Sequence, residues 1–366
     1  MSRRSFPSAL LVIGLVFAGV CVRAQESGSP GEQPTPIAKR AALGLAKLQS
    51  WFEPTTGLYR TTGWWNSANA ITTLADYTRV ADDRQFASIF PIAFTAAQKT
   101  SPGFLNDYYD DEGWWALAWI DVYDITHEKR YLEMAESIFA DMTTGWDETC
   151  SGGIWWSKER KYKNAIANEL FLSVAAQLAA RSTGEKEEAR YLDWAQREWK
   201  WFAKTGMINA DHQINDGLDA KCANNRKTTW SYNQGVVLGG LAELYGQTHD
   251  AKMLGEANAI AAATLVNPTL IDKPGVLHES CEPNCGSDGT QFKGIFVRNL
   301  GLLNRIAPIA AYRDFILRNA DSVWKGMRQS KYEIGTSWSP PYGDANASTQ
   351  SSGVDALVAA AALEAR

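Results

Sequence analysis

From residue 37 to the end of the 366-residue chain, apolar side chains recur at the three- and four-residue spacing of an α-helix almost without a break. The spacing predicts helices over 37–50, 66–80, 84–99, 111–125, 128–144, 163–182, 185–205, 230–246, 250–266, 291–306, 310–329 and 350–364. These twelve stretches alternate in character. The odd-numbered ones pair an apolar stripe with a charged face, as in Glu185-Lys186-Glu187-Glu188-Ala189-Arg190-Tyr191-Leu192. A helix with one wet face belongs on the outside. The even-numbered ones are apolar nearly all round, as in Leu170-Phe171-Leu172-Ser173-Val174-Ala175-Ala176 and Gly235-Val236-Val237-Leu238, and such helices are buried. Six inner and six outer helices in alternation describe an all-α protein, an (α/α)6 barrel. No linker or low-complexity tract divides residues 37–366, so they read as one domain.

In a barrel of helical hairpins the inner helices run the same way, and their N-termini gather at one mouth. Each inner stretch opens with polar groups that look wasted on a core: Asn66 and Asn69; Asp110 and Asp111; Asn164 and Asn168; Tyr232, Asn233 and Gln234; Gln291 and Lys293; Gln350 to Ser352 and Asp355. The tryptophans Trp64, Trp65, Trp114, Trp115, Trp155, Trp156 and Trp230 fall at or just before the same starts. Any one tryptophan is most simply core packing, and any one amide a helix cap. Gathered at one mouth, they predict aromatic platforms and hydrogen-bonding groups for a sugar. Lys293, in an apolar helix, is hardest to explain structurally, since an unpaired buried amine is costly.

Composition narrows the setting. Met-Ser-Arg-Arg, an apolar run over Ala9–Val20 and Val22-Arg23-Ala24 predict a signal peptide over 1–24, followed by a flexible leader over 25–36. The chain then reads as secreted or cell-wall associated and monomeric, with no membrane span and no lipid-anchor tail at its end. Removing 1–24 leaves 33 basic and 41 acidic residues, a net charge of −8, which disfavours a nucleic-acid partner. Four cysteines remain, and in an oxidising compartment they suggest two disulfides. Cys281 and Cys285 are close enough to staple one loop, leaving Cys150 with Cys222; a metal site of His278, Cys281 and Cys285 is the rival and lacks a fourth ligand. The four histidines are scattered, and no metal or cofactor is expected. Asn346-Ala347-Ser348 is the single N-glycosylation sequon.

The candidate chemistry is the dipeptide Asp110-Asp111 within Tyr108-Tyr109-Asp110-Asp111-Glu112-Gly113-Trp114-Trp115. Two adjacent acids among aromatic rings resist joint ionisation, so one pKa is expected to rise while the other stays low. A glycosidase needs one carboxylate to attack the sugar and one carboxylic acid to protonate the leaving oxygen. For the dipeptide alone, capping a helix is the plainer explanation. Neighbours on a strand point to opposite faces and neighbours on a helix diverge by about 100°. A loop entering a helix N-terminus can aim both acids into one cavity, where the helix dipole favours an anion.

Together with Gly152-Gly153-Ile154-Trp155-Trp156, Tyr162-Lys163-Asn164-Ala165-Ile166-Ala167-Asn168-Glu169-Leu170, Trp230-Ser231-Tyr232-Asn233-Gln234-Gly235, Phe292-Lys293-Gly294 and Gln350-Ser351-Ser352-Gly353, this stretch resembles the glycoside hydrolase family 76 α-1,6-mannanases over the whole mature chain. The Cys281-to-Cys285 loop looks like that of fungal members. The resemblance implies retaining hydrolysis of internal α-1,6-mannosidic bonds of mannan or manno-oligosaccharides. It makes Asp110 the nucleophile and Asp111 the general acid/base. For substrate binding, the mouth supplies Trp64, Trp65, Asn66, Asn69, Trp114, Trp115, Trp155, Trp156, Asn168, Tyr232, Asn233, Gln234, Lys293 and Asp355. Two other functions compete. Some fungal relatives are thought to transfer glycosylphosphatidylinositol-linked glycoproteins onto wall glucan with the same Asp pair. A barrel that grips mannan without cleaving it is the other, disfavoured by the presence of both carboxylates.

Overall fold

The computed structural model describes residues 36–365; the predicted signal peptide and all of the leader but Pro36 lie outside the described residues. The described chain forms twelve α-helices. In chain order they are α1 (Ile37–Gln49), α2 (Trp64–Ala81), α3 (Ile89–Ala97), α4 (Tyr109–Thr126), α5 (Lys129–Thr143), α6 (Ala165–Arg181), α7 (Glu185–Phe202), α8 (Ser231–Thr248), α9 (Ala251–Thr264), α10 (Phe292–Ile306), α11 (Ala310–Gln329) and α12 (Ala347–Glu364). A two-residue β-ribbon, Phe52–Glu53 against Leu58–Tyr59, follows α1. The even helices pack each on the next, and α12 returns to α2, closing an inner ring. The odd helices back it: α5 on α4, α7 on α6, α9 on α8, α1 and α11 on α12. This is the (α/α)6 barrel that the alternation predicts. Burial follows it, because α6 is enclosed continuously from Ala165 to Ala176, whereas α7 buries only Tyr191, Ala195, Glu198, Trp199, Trp201 and Phe202.

Six helices fit around one axis only if their backbones come close. A Cβ on Gly235 would lie 2.5 Å from the Phe296 Cα, and one on Gly294 would lie 2.5 Å from the Ser352 Cα. Glycine is therefore required where α8 meets α10 and where α10 meets α12. One predicted element is shorter than expected. The spacing predicts a helix over 84–99, but α3 begins at Ile89, because the Asp83 carboxylate accepts the Gln85 N–H (2.9 Å) and holds a turn there.

Both disulfides are formed, Cys150 with Cys222 and Cys281 with Cys285. The second consumes the thiolates that the rival metal site needs. Asn346 serves as the N-cap of α12, its side chain accepting the Thr349 N–H at 2.9 Å. No helix among the described residues is long and apolar enough to cross a membrane.

The barrel interior carries acids held above their ordinary range. Burial pushes Asp355 up to about 7 against the opposing Arg298, and Glu279 to about 7 against the Ser231 hydrogen bonds. Burial also pushes Asp121 to about 7, helped by neighbouring Asp76. A carboxyl whose folded pKa lies above its unfolded value of about 4 adds stability that is present below pH 4 and lost as pH rises through 7. Calorimetry between pH 8 and pH 5 should therefore show the melting temperature rising as pH falls. A flat or falling trend would contradict this assignment.

Candidate active site

The site is built on the first turn of α4, where Tyr108 is the extended N-cap and Asp110, Asp111 and Glu112 follow inside the helix. The helix starts two residues earlier than the predicted 111, so both acids sit inside its first turn rather than at a loop entry. Both still line one cavity of about 370 Å³. Asp110 Oδ2 accepts the Trp156 indole N–H at 3.0 Å, and the Asp110 Oδ1 atom is buried without a partner. Asp111 Oδ2 accepts the Asn106 amide at 2.6 Å.

The expectation of one raised and one low pKa is corrected. Burial and then Asp111 raise Asp110 well above the usual carboxylate range, while the Trp156 N–H and first-turn amides oppose them. Burial pushes Asp111 up to about 6, with Asp288 adding to the rise and Asn106 opposing it. Both rise because the walls displace water and no Lys or Arg pairs with either among the described residues. Ionising both members of the pair together is therefore unfavourable.

An aromatic wall runs beside the acids. Trp114 stacks on Trp65 (5.6 Å), Trp65 on Phe292 (6.2 Å), and Phe292 on Tyr232 (3.8 Å, 15° between planes). At the rim, Trp156 (36% exposed) lies against Tyr108 (41% exposed), with ring centroids 5.0 Å apart. Two further acids reach the cavity: Asp216, whose Oδ2 accepts the Tyr162 hydroxyl at 2.5 Å, and Asp288, which accepts the Trp65 indole N–H at 3.1 Å.

The structure brings together Trp65, Asp110, Asp111, Trp114, Trp156 and Tyr232 from the sequence-predicted set. Asn164, another of the polar groups predicted at the mouth, also lines the cavity; the others do not. Trp64 and Trp115 pack on each other and on Phe104 at 4.8 to 6.1 Å, inside the wall between helices. The Trp155 indole N–H is turned to Asp147 (2.7 Å), and its ring lies under the Lys163 ammonium.

Three of the amides are loop clamps. Asn168 accepts the Ile154 N–H and donates to the Ile154 carbonyl, and Gln234 does the same at Ile214. Gln350 accepts the Ile334 N–H and donates to the Tyr332 carbonyl. Asn66 donates to Gln291 (2.8 Å), which donates onward to Ser351. Asn69 accepts from Arg298 (2.6 Å), and Asn233 is fully enclosed with neither amide atom paired. A loop folded onto a barrel mouth buries backbone N–H and C=O groups, and each one left unpaired costs about 1–3 kcal/mol.

Lys293 is explained similarly: it pairs with Glu282 of the Cys281-to-Cys285 loop and donates to the Thr336 carbonyl. Asp355 lies deeper, bonded to Thr73 (2.7 Å) and paired with Arg298. Sequence reasoning missed Asn106, Tyr108, Tyr162, Asp216, Asp288 and Phe292 as site residues. Tyr162 and Phe292 stand inside motifs already singled out, whereas Asp216 and Asp288 sit in loops whose paths carry no periodic signal.

The glycosyl hydrolase family 76 sequence model matches residues 39–366. The chain belongs to this family. Mannan endo-1,6-alpha-mannosidase DFG5 of Candida albicans is 31% identical over 272 residues, covering 67% of this chain and 59% of that protein. DCW1 of the same species, carrying the same enzyme name, is 29% identical over 270 residues, again 67% and 59%. The chain thus spans about three-fifths of the length of the curated relatives it matches. Among solved structures, an inactive variant of the Salegentibacter α-1,6-mannanase GH76A, altered at two adjacent aspartates and bound to α-1,6-mannotetrose, shares the fold. Its TM-score is 0.81 at 22% identity, covering 89% of this chain and 99% of that one.

Desolvated acids without cations weaken the fold at neutral pH, a common cost of active sites. Because the Asp110 carboxyl is raised, its penalty exists only where it or its partner must ionise. Asp110→Asn should raise stability by about 1 kcal/mol at pH 7.5, with the gain shrinking towards pH 4. Thermal denaturation of the two proteins side by side checks this, and an equally or less stable variant at pH 7.5 would count against the pair.

Proposed function

We propose that this family 76 hydrolase cleaves internal α-1,6-mannosidic bonds of mannan with retention of configuration, through a mannosyl ester on Asp110. The observation that carries the reading is the state of the pair. Asp110 lines the cavity with one oxygen held by the Trp156 indole N–H, a donor that favours the carboxylate an attack needs. Asp111, held by Asn106 and raised to about 6, suits the acid that protonates the glycosidic oxygen and later deprotonates water. Repulsion between the neighbouring carboxylates favours one proton on the pair. The reactive form has that proton on Asp111, leaving an anion at Asp110 under the Trp156 N–H and the amides of the α4 N-terminus. The wall from Trp114 to Tyr232 offers stacking faces to mannosyl rings, and Asp216 and Asp288 add carboxylates that favour the positive charge of an oxocarbenium-like transition state.

The Salegentibacter enzyme, whose inactive form lacks two adjacent aspartates and holds an α-1,6-linked mannotetraose, supports the same substrate and pair here. Two disulfides suit secretion or a cell-wall location. A second acceptor is favoured by one feature: the exposed Tyr108–Trp156 rim gives a sugar hydroxyl a place to rest where water would otherwise attack. Incubation with linear α-1,6-mannan and with mannobiose to mannohexaose, followed over time, decides between them. Shortened products that appear first as the α-anomer support retaining hydrolysis; lengthened products support transfer. No turnover on any of these substrates would sink the mannanase reading.

A further inference from the structure

A second cavity, at about 790 Å³ larger than the catalytic one, lies where the end of α7 meets the segments joined by the Cys150–Cys222 disulfide. The helix brings Arg197 and Lys200 to it, and Lys204 follows two residues beyond the last turn. Spacings of three and four put all three cations on one face, and all three are exposed. The chain carries a net charge of −5, yet the charged lining of this groove is three cations and one acid. That acid, Glu148, reaches only Arg197, at 3.4 Å, and is itself 83% exposed. Like charges three and four apart on a helix repel; the helix C-terminus offsets part of this, and an exposed ion pair offsets little.

Beneath the cations are indole rings. Trp146 and Trp201 line the groove, and the Arg197 guanidinium lies 4.3 Å from the Trp146 ring centroid. The loop that forms the wall is held in an uncommon shape, with Cys150 and Ser151 at φ +58° and +63°. Its shape has a clear cause. The buried Lys163 ammonium donates to the carbonyl oxygens of Thr149 (2.7 Å), Gly152 (2.8 Å) and Gly153 (2.9 Å), and the Trp201 indole N–H donates to that of Cys150 (2.9 Å). Carbonyl oxygens that would repel an anion are thereby committed to other donors.

Trp201 is 7% exposed and the Arg197 guanidinium covers Trp146, so a sugar ring would meet the planar guanidinium and the rim of the half-buried Trp146 while its charge meets Arg and Lys. We propose that this groove binds a saccharide carrying a phosphate ester, at a site separate from the catalytic cavity. The two sites share a wall. Leu218 lines the groove, and Asp216, two residues earlier, lines the catalytic cavity. A charged branch of a glycan held in the groove would place neutral residues of the same chain near the Asp pair. The proposal does not depend on which bond that pair cleaves.

Titration calorimetry with mannose 6-phosphate tests it, using the Asp110→Asn protein so that binding is read without turnover. Saturable binding is expected, weakened about tenfold by the double substitution Lys200→Glu and Lys204→Glu and weakened again by added salt. The double variant in the otherwise unaltered enzyme should melt normally and turn over short neutral oligosaccharides unchanged. No saturation, equal binding by the double variant, or equal binding of unphosphorylated mannose would overturn the proposal. Equal binding of inorganic phosphate would overturn its saccharide part.

Discussion

Pairing the buried backbone of the loops is the constraint on which this architecture rests. Six parallel inner helices leave their N-termini, and the loops between hairpins, crowded over one mouth. Those loops turn inward at Ile154, Ile214 and Ile334, where water cannot satisfy their N–H and C=O groups. Amides near the starts of the inner helices do it instead, through Asn168, Gln234 and Gln350. The loops so fixed carry function: Trp156 lies two residues beyond Ile154, and Asp216 two beyond Ile214. Holding the loop backbone is thus what delivers a hydrogen-bond donor to Asp110 and a further acid to the cavity.

The Asp110–Asp111 pair stands beside these paired loop groups. Its acids are desolvated by rings and have no cation beside them, so ionising both is costly. That cost is what the proposed roles would draw on, because a poorly hydrated carboxylate is more nucleophilic than one in water. The surrounding barrel supplies the stability that such a site consumes, through continuous burial of the inner helices and close backbone contact at Gly235 and Gly294.

Helical periodicity made the ring of twelve helices legible, since full burial of α6 and one-sided burial of α7 follow directly from their side chains. Asp110 and Asp111 alone read more simply as a helix cap, and only the surrounding motifs and the resemblance they carry made them the candidate pair. The partners of the polar ring were not legible. An amide that grips a sugar hydroxyl and one that grips a loop backbone are the same residue type in the same place on a helix. Only the loop paths distinguish them, and those paths are set by long-range pairing that local sequence does not encode. For this reason Asn168 and Gln234 read as ligand contacts, while Asp216 and Asp288 were invisible. Lys293 shows the same limit, its partner Glu282 being fixed by the disulfide loop rather than by the helix.

The central claim is that Asp110 takes the mannosyl group and Asp111 handles the proton. A fluorinated mannosyl donor that slows the second step should leave a mannosyl ester on the enzyme, and mass spectrometry of the digested protein can locate it. The account predicts a single adduct on the peptide bearing Tyr109-Asp110-Asp111, with fragment ions placing it on Asp110. An adduct on Asp111 would contradict it, as would turnover of the donor with inverted configuration and no adduct.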